Sequence, residues 1–380
     1  MAPRVLLLSA SIGEGHDGPA RTLSAALERR GARAQTLDVL AVAGPRAQGL
    51  AGAGTQYDTR LGNVAFDVAH HVIAEWAPGQ RAAGRALQAL FARSLLRAVG
   101  HERPDVLVAT YPGASEVLGR LRLARRLDVP VVSAVTDLAS LRYWAHAGVD
   151  EHLLIHEEST AEVRRIAGPA TRVTAVHGLT EPAFRAPLAA RAARAVLDLP
   201  AAGRTVVVSG GGWAVGDLRG AVDTALHVGA DHVVVLCGRR ADVHAELTAR
   251  FAGVAAVRVW GFTDRMAEVL AAADVLVHST AGLTVLEAMM CGCRVISFGW
   301  GRGHIRANNR AYREHGLAAV AGSRVELEAH LARALAAPRA EPHRPQLPEA
   351  ADLVLALASS SGSCGEGASA AGLTQPPDGR

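Results

Sequence analysis

Long apolar runs are missing from this chain. No stretch approaches the ~20 residues a helix needs to cross a bilayer, although 49% of the 380 residues are hydrophobic. Such a composition points to buried cores, and the length suits two of them. Cysteine is scarce, and Cys237, Cys291, Cys293 and Cys364 have neither zinc-site nor disulfide spacing. Buried thiols in a reducing compartment are therefore expected, with no metal site. Excess charge is small, +4 and carried almost wholly by arginine, which gives no case for a nucleic-acid partner. A signal peptide is not apparent either: Val5–Leu8 reads at once as a strand, and a cytoplasmic location is expected.

What is present is alternation. Short apolar strands and helices follow one another along most of the chain, predicting an α/β protein with parallel sheets covered on both faces. The strands expected first are Arg4–Leu8, Ala34–Val39, Asp105–Thr110, Val131–Thr136, His152–Ile155 and Arg172–Val176. Gly178–Ala202, with Pro182, Pro187 and Pro200, reads as a linker holding one short helix. A second set follows: Thr205–Ser209, Val233–Leu236, Val257–Val259, Val275–His278 and Arg294–Phe298. The predicted division is residues 1–180, a linker 181–202, a second domain 203–338, and a crossing segment with a helix at 339–358. The tail 359–380 is rich in Ser, Gly, Ala and Pro and is expected to be disordered. Leu40–Val99 is a long Ala/Arg/Gly-rich insertion with a helix expected over Ala82–Val99.

Ala273–Asn309 organises the second half. Val275–His278 reads as a strand, Ser279–Gly282 as a tight turn and Leu283–Met290 as a helix stopped by Gly292. A further strand (Val295–Phe298) and a loop with Asn308 and Asn309 follow. A turn at a strand's carboxyl end that opens a helix aims unpaired N–H groups at a crevice, as a diphosphate requires. Glu287 lies about one turn into that helix, although Thr284–Glu287 also has the spacing of a capping box.

In the first half, Gly13–Gly18 (GEGHDG) satisfies G-x-G-x-x-G between a strand and a helix that has Pro19 in its first turn and Gly31 as its stop. Asp38 stands where a ribose-binding acid would complete an NAD site. Glu14 and Asp17, however, would set two carboxylates beside a pyrophosphate and repel it. His16, at a helix N-terminus beside carboxylates, is better suited to accept a proton.

Both loops, with SASIGEGHDGPARTLSAAL, ERPDVLVATYPGAS, VPVVSAVTDL, VHGLTEPAF, VSGGGWAVGDL, VLCGRR, VWGFTDRMAEVLAAADVLV and STAGLTVLEAMMCGCRVI, resemble one glycosyltransferase family. It holds the monogalactosyldiacylglycerol synthases and processive diacylglycerol glucosyltransferases and is related to the lipid II-forming N-acetylglucosaminyltransferase. The resemblance implies a GT-B fold: two Rossmann-like domains facing across a cleft, with the last helix crossing back. It further implies an inverting transfer from a UDP-sugar with no bound metal and no other cofactor.

Carried over residue by residue, Glu287 matches the glutamate that receives the donor ribose hydroxyls. Ser279, Ala281, Gly282, Leu283 and Thr284 match the diphosphate loop, and Gly210, Gly211 and Gly212 a close backbone approach. Phe262, Gly238 and Arg239 match the region of the uracil. His16, in the loop of Gly13 and Gly15, is the expected base; Asp137 is its partner or substitute, unless it merely caps the segment from Leu138 onward. His304-Ile305 stands where relatives carry Gln-Glu or Gln-Gln for the hexose, with Asn308 retained, so the sugar is left open. Trp76 and Phe91 with Arg81, Arg85, Arg93 and Arg97 would suit an interfacial helix on anionic lipid. The expected acceptor is diacylglycerol or a related membrane lipid; a polyprenyl carrier or soluble natural product is the near alternative. A nucleotide-sugar epimerase, an NAD-linked oxidoreductase and a non-catalytic UDP-sugar binder are the readings from other classes.

Overall fold

The computed structural model describes residues 2–11, 13–44, 71–299, 301, 303–343 and 345–362. Residues 45–70 of the insertion, Cys364 and the greater part of the expected tail lie outside the described residues. The first half holds six strands: β1 (Arg4–Ser9), β2 (Arg33–Asp38), β3 (Val106–Ala109), β4 (Val131–Val135), β5 (Glu151–Leu154) and β6 (Val173–Ala175). The second holds β7 (Thr205–Ser209), β8 (His232–Leu236), β9 (Val257–Trp260), β10 (Val275–His278), β11 (Arg294–Phe298) and β12 (Ala319–Ala321). VLVA, VVSAV and TVVVS are buried along their whole length. β-Branched runs of that kind suit strands covered on both faces.

The sheets run β2-β1-β3-β4-β5-β6 and β12-β11-β10-β7-β8-β9, with every pairing parallel. Strand order reverses between β1 and β3 in one sheet and between β7 and β10 in the other. Open α/β sheets bind ligands beyond the carboxyl ends of the strands at such switch points. Leu8 pairs with Ala109 and Ser209 with His278, so the glycine loops after Ser9, Ser209 and His278 all emerge at these points. One apolar cluster, including Leu27, Leu138, Leu276, Leu286, Tyr312 and Val354, runs through both halves.

Several elements differ from the sequence expectation. The first helix begins at Glu14, five residues before Pro19, which sits inside it. Proline has no N–H to give to the carbonyl four residues back; Thr136 Oγ1 donates to that carbonyl, Gly15 O, at 3.3 Å instead. The helix expected over Ala82–Val99 spans Ala77–Glu102. Asn308 and Asn309 lie on a helix, Gly303–Glu314, not on a loop. β12 and the helix Arg324–Ala336 were not anticipated. The last helix, Ala350–Gly362, takes in the first four residues of the expected tail. It packs against the first helix, where Arg30 pairs with Asp352 at 2.5 Å.

Candidate functional site

His16 sits in the first turn of the helix Glu14–Arg29. Its Nδ1 lies 3.0 Å from the carbonyl oxygen of Thr110. A carbonyl only accepts, so Nδ1 carries the proton and Nε2 keeps its lone pair. Burial holds the imidazole below its usual pKa; Asp137, the strongest of the charges acting on it, raises it again, with Thr110 and Asp17 helping and His304 opposing. The ring is thus neutral near pH 7 and available as a base. Tyr111 and Trp144 face it at centroid distances of 5.4 and 5.8 Å.

Asp137 follows β4. The Nε1–H of Trp144 donates to its Oδ2 at 2.9 Å, and no helix starts at Leu138 for it to cap. Among the described residues the hydrogen bond orienting His16 comes from Thr110, not Asp137. Asp38, the acid of the NAD reading, receives Leu40 N at 2.8 Å and caps Val39–Ala43. Glu14 bonds Arg21, and Asp17 receives the Ser9 hydroxyl at 2.5 Å.

The second half supplies the opposite wall. Ser279 is buried and its hydroxyl donates to Val215 O. Gly282 (φ 92°) begins the helix Leu283–Met290 with no side-chain cap, so the capping box at Thr284 and Glu287 does not form. The first-turn N–H groups of Leu283 and Thr284 have no carbonyl within the helix to bond. Ala281 is half-buried just ahead of them. A Cβ on Gly238 would lie 2.4 Å from Gly212 O, so only glycine lets that loop pack on Gly210–Gly212; Arg239 N secures it by donating to Gly212 O at 2.8 Å.

The Arg239 guanidinium lies 3.9 Å over the half-exposed Phe262 ring and reaches Glu14 across the cleft at 2.9 Å. Burial, reinforced by Glu181, pushes the Glu287 carboxyl up to about 8; it is partly exposed.

The two walls meet. Gly282 faces the Thr136 carbonyl, 3.6 Å from where its Cβ would be, and His304 is close enough to act on His16. Asn308 is fully buried and bonds the backbone of Leu138 and Ala139. Ile305 is buried too. Sequence reasoning missed Thr110, Thr136, Trp144 and Tyr312, whose hydroxyl receives Gly282 N at 3.2 Å. Each is an ordinary core residue by type, and only the fold brings it to the cleft. A cavity of about 780 Å³ between β11, β12 and the segment 337–345 contains none of the candidate residues. Among the described residues no group of three or more His, Cys, Asp or Glu is placed to hold a metal.

With this geometry in view, the comparisons define the class. Residues 16–179 match the family model of monogalactosyldiacylglycerol (MGDG) synthase, and 214–337 that of glycosyl transferases group 1. The solved structure of Arabidopsis thaliana UGT89C1 complexed with UDP covers 96% of each chain at a TM-score of 0.56 and 14% identity. Acinetobacter baumannii MurG covers 94% of each at 0.52 and 16%. The architecture is therefore that of the GT-B glycosyltransferases.

Within that class the chain is similar in sequence to enzymes of the diacylglycerol branch. It is 21% identical to the processive diacylglycerol beta-glucosyltransferase of Bacillus cytotoxicus over 78% of this chain and 76% of that one. The Staphylococcus saprophyticus enzyme of the same name is 23% identical over 50% and 48%. Monogalactosyldiacylglycerol synthase 1 of Arabidopsis thaliana is 24% identical over 59% and 44%. The chain thus spans about half the length of two of these relatives.

Proposed function

We propose that the protein is an inverting glycosyltransferase that moves a hexose from a UDP-sugar to a hydroxyl of diacylglycerol or a related membrane lipid. One observation carries the reading: a neutral histidine whose Nε2 keeps its lone pair on one wall faces an uncapped helix start and an Arg–Phe stack on the other. The diphosphate rests on the N–H groups of Leu283 and Thr284 and beside Gly210–Gly212, the uracil goes to the Gly238–Arg239–Phe262 corner, and Glu287 receives the ribose hydroxyls. As the acceptor oxygen attacks the anomeric carbon, its proton passes to His16 Nε2 and the bond to the diphosphate breaks. Charge developing on the leaving group is met by backbone N–H groups and Arg239, and the imidazolium by Asp137. His304 stands at the sugar end of the cleft, in place of the usual glutamine.

The MGDG synthase match over the acceptor half favours a lipid acceptor. So does a surface where Val72, Ile73 and Trp76 are exposed and Arg81, Arg85, Arg93 and Arg97 lie exposed on one face of the adjoining helix. Apolar side chains flanked by arginines suit the surface of an anionic membrane, at the cytoplasmic face in this reading. Among the described residues no helix is long and apolar enough to cross a bilayer.

The test is a titration with UDP, UDP-glucose, UDP-galactose and UDP-N-acetylglucosamine, with and without diacylglycerol in phosphatidylglycerol vesicles, following label from sugar to lipid. Lipid-dependent transfer is the expected result. Release of an altered free sugar without acceptor would make the protein an epimerase, and donor binding without turnover a binding protein.

A further inference from the structure

The segment after Asp137 is held by side chains, not by regular structure. Leu138 O receives the Ser159 hydroxyl at 2.8 Å, and Leu141 N donates to Glu162 Oε1 at 3.2 Å. Ser140 sits at φ 65°, a left-handed conformation that a non-glycine residue keeps only when its surroundings enforce it. The remaining groups are held from the other half of the molecule. Asn308 Oδ1 accepts from Leu138 N at 2.8 Å and Ala139 N at 3.2 Å. Its Nδ2 donates to Ala139 O at 3.3 Å and to His304 O at 2.9 Å.

A fully buried carboxamide with both ends committed to protein is poorly placed to serve a sugar. It is well placed to tell the Asp137 loop whether the donor half is closed. We propose that Asn308 is a positioning residue: by clasping residues 138 and 139 from the helix that begins at His304's turn, it sets Asp137 against His16 when the two halves close. The proposal rests on the transferase reading for its catalytic meaning. It also replaces hexose contact as the role of Asn308. Trp144 completes the aim, since its indole fixes one carboxylate oxygen.

The groups facing His16 give the proposal a signed readout. Asp137 and Asp17 raise its pKa, Thr110 O does so by hydrogen bonding, and burial and His304 lower it; Tyr111 and Trp144 add neutral rings. If Asn308→Ala lets Asp137 swing away, His16 loses its principal anion and its pKa falls. If the substitution merely opens the cleft, His16 loses His304 and part of its burial, and its pKa rises.

The experiment is a histidine-detected NMR titration of the full chain, with His16 assigned by His16→Gln and Asp137→Asn as the benchmark. The expected result is a fall in Asn308→Ala, smaller than in Asp137→Asn and not additive with it. An unchanged or raised value overturns the proposal. Alongside it, turnover in Asn308→Ala should drop by about 10-fold or more, as misplacement of a reacting group does, with UDP affinity within about 2-fold of wild type. An equal loss of UDP affinity would make Asn308 a ligand contact and overturn the proposal as well. The titration needs no substrate, so a wild-type protein that transfers no sugar would sink the transferase reading while leaving this one to be judged on the histidine.

Discussion

At His16, one hydrogen bond fixes the tautomer. Because Thr110 O holds Nδ1, Nε2 keeps its lone pair, and in the proposed reaction it is the base. His16→Ala should therefore cut turnover roughly 10²–10⁴-fold, the usual worth of a positioned base, with little change in UDP affinity by calorimetry. Equal loss of both would assign the residue to binding. Glu287 carries a pH signature. Its carboxyl, near 8 in the fold against 4.5 when free, binds more protons folded than unfolded between those values. Its contribution to stability is thus full below about 4.5 and is lost as pH rises through about 8.

A ribose diol that donates to the carboxylate selects the ionised form. UDP affinity should then rise toward a limit of about tenfold per pH unit up to 8, and Glu287→Gln should flatten that slope. Glu287→Ala should cost about 1–3 kcal/mol of UDP binding by stranding its partners; a flat wild-type profile would remove the ribose role.

At the scale of elements, the turn-helix unit at Ser279–Met290 was legible because its signals are local. An apolar run of three before a histidine, a small-residue turn and a glycine stop gave strand and helix with the observed ends for Val275–His278 and Leu283–Met290. The helix Gly303–Glu314 was not legible: its opening GHIRANN starts with glycine and carries two asparagines, and what secures it is the burial of Asn308 and Tyr312 against partners far away in sequence. The first helix was misjudged at its start for a related reason, since a proline five residues in is tolerated only because Thr136 serves the carbonyl it leaves. The candidate site divides in the same way. His16, Asp137 and Glu287 were suggested by local motif and resemblance, whereas the bonds of Thr110 to His16 and of Asn308 to Leu138 and Ala139 span gaps in sequence that no spacing rule reaches.

Glycine chemistry gives this scale its prediction. Gly238 at φ 54° packs on two carbonyls. Gly238→Ala should destabilise the fold by about 1–3 kcal/mol in denaturant unfolding and weaken UDP binding, whereas Gly253→Ala, with open space beside it, should leave UDP binding unchanged.

For the whole molecule the question is what keeps the halves together. The Glu14–Arg239 pair is conspicuous, but its side chains are 38% and 50% exposed. Burial alone would raise the Glu14 carboxyl; hydrogen bonds from Arg21 and Arg239 outweigh it and hold it low. Pairs this exposed contribute about 0–1 kcal/mol, so Glu14→Ala should barely move the unfolding midpoint. Asn308→Ala, which strands buried backbone groups, should cost about 1–3 kcal/mol. The reverse order in matched urea curves would mean that charge, not the buried amide, joins the walls.

The chain also passes between the halves twice, and at the passage its two strands are tied. His177 N donates to Pro348 O and Ala350 N to His177 O, each at 2.9 Å, with a parallel bridge between His177 and Glu349. A joint stitched from a pair of chains bends about one line and resists swivelling, as a door on two pins does. Cutting either chain alone would leave the other pin in place, so a protease nick between residues 186 and 189 should yield fragments that part in denaturant yet elute together from a sizing column.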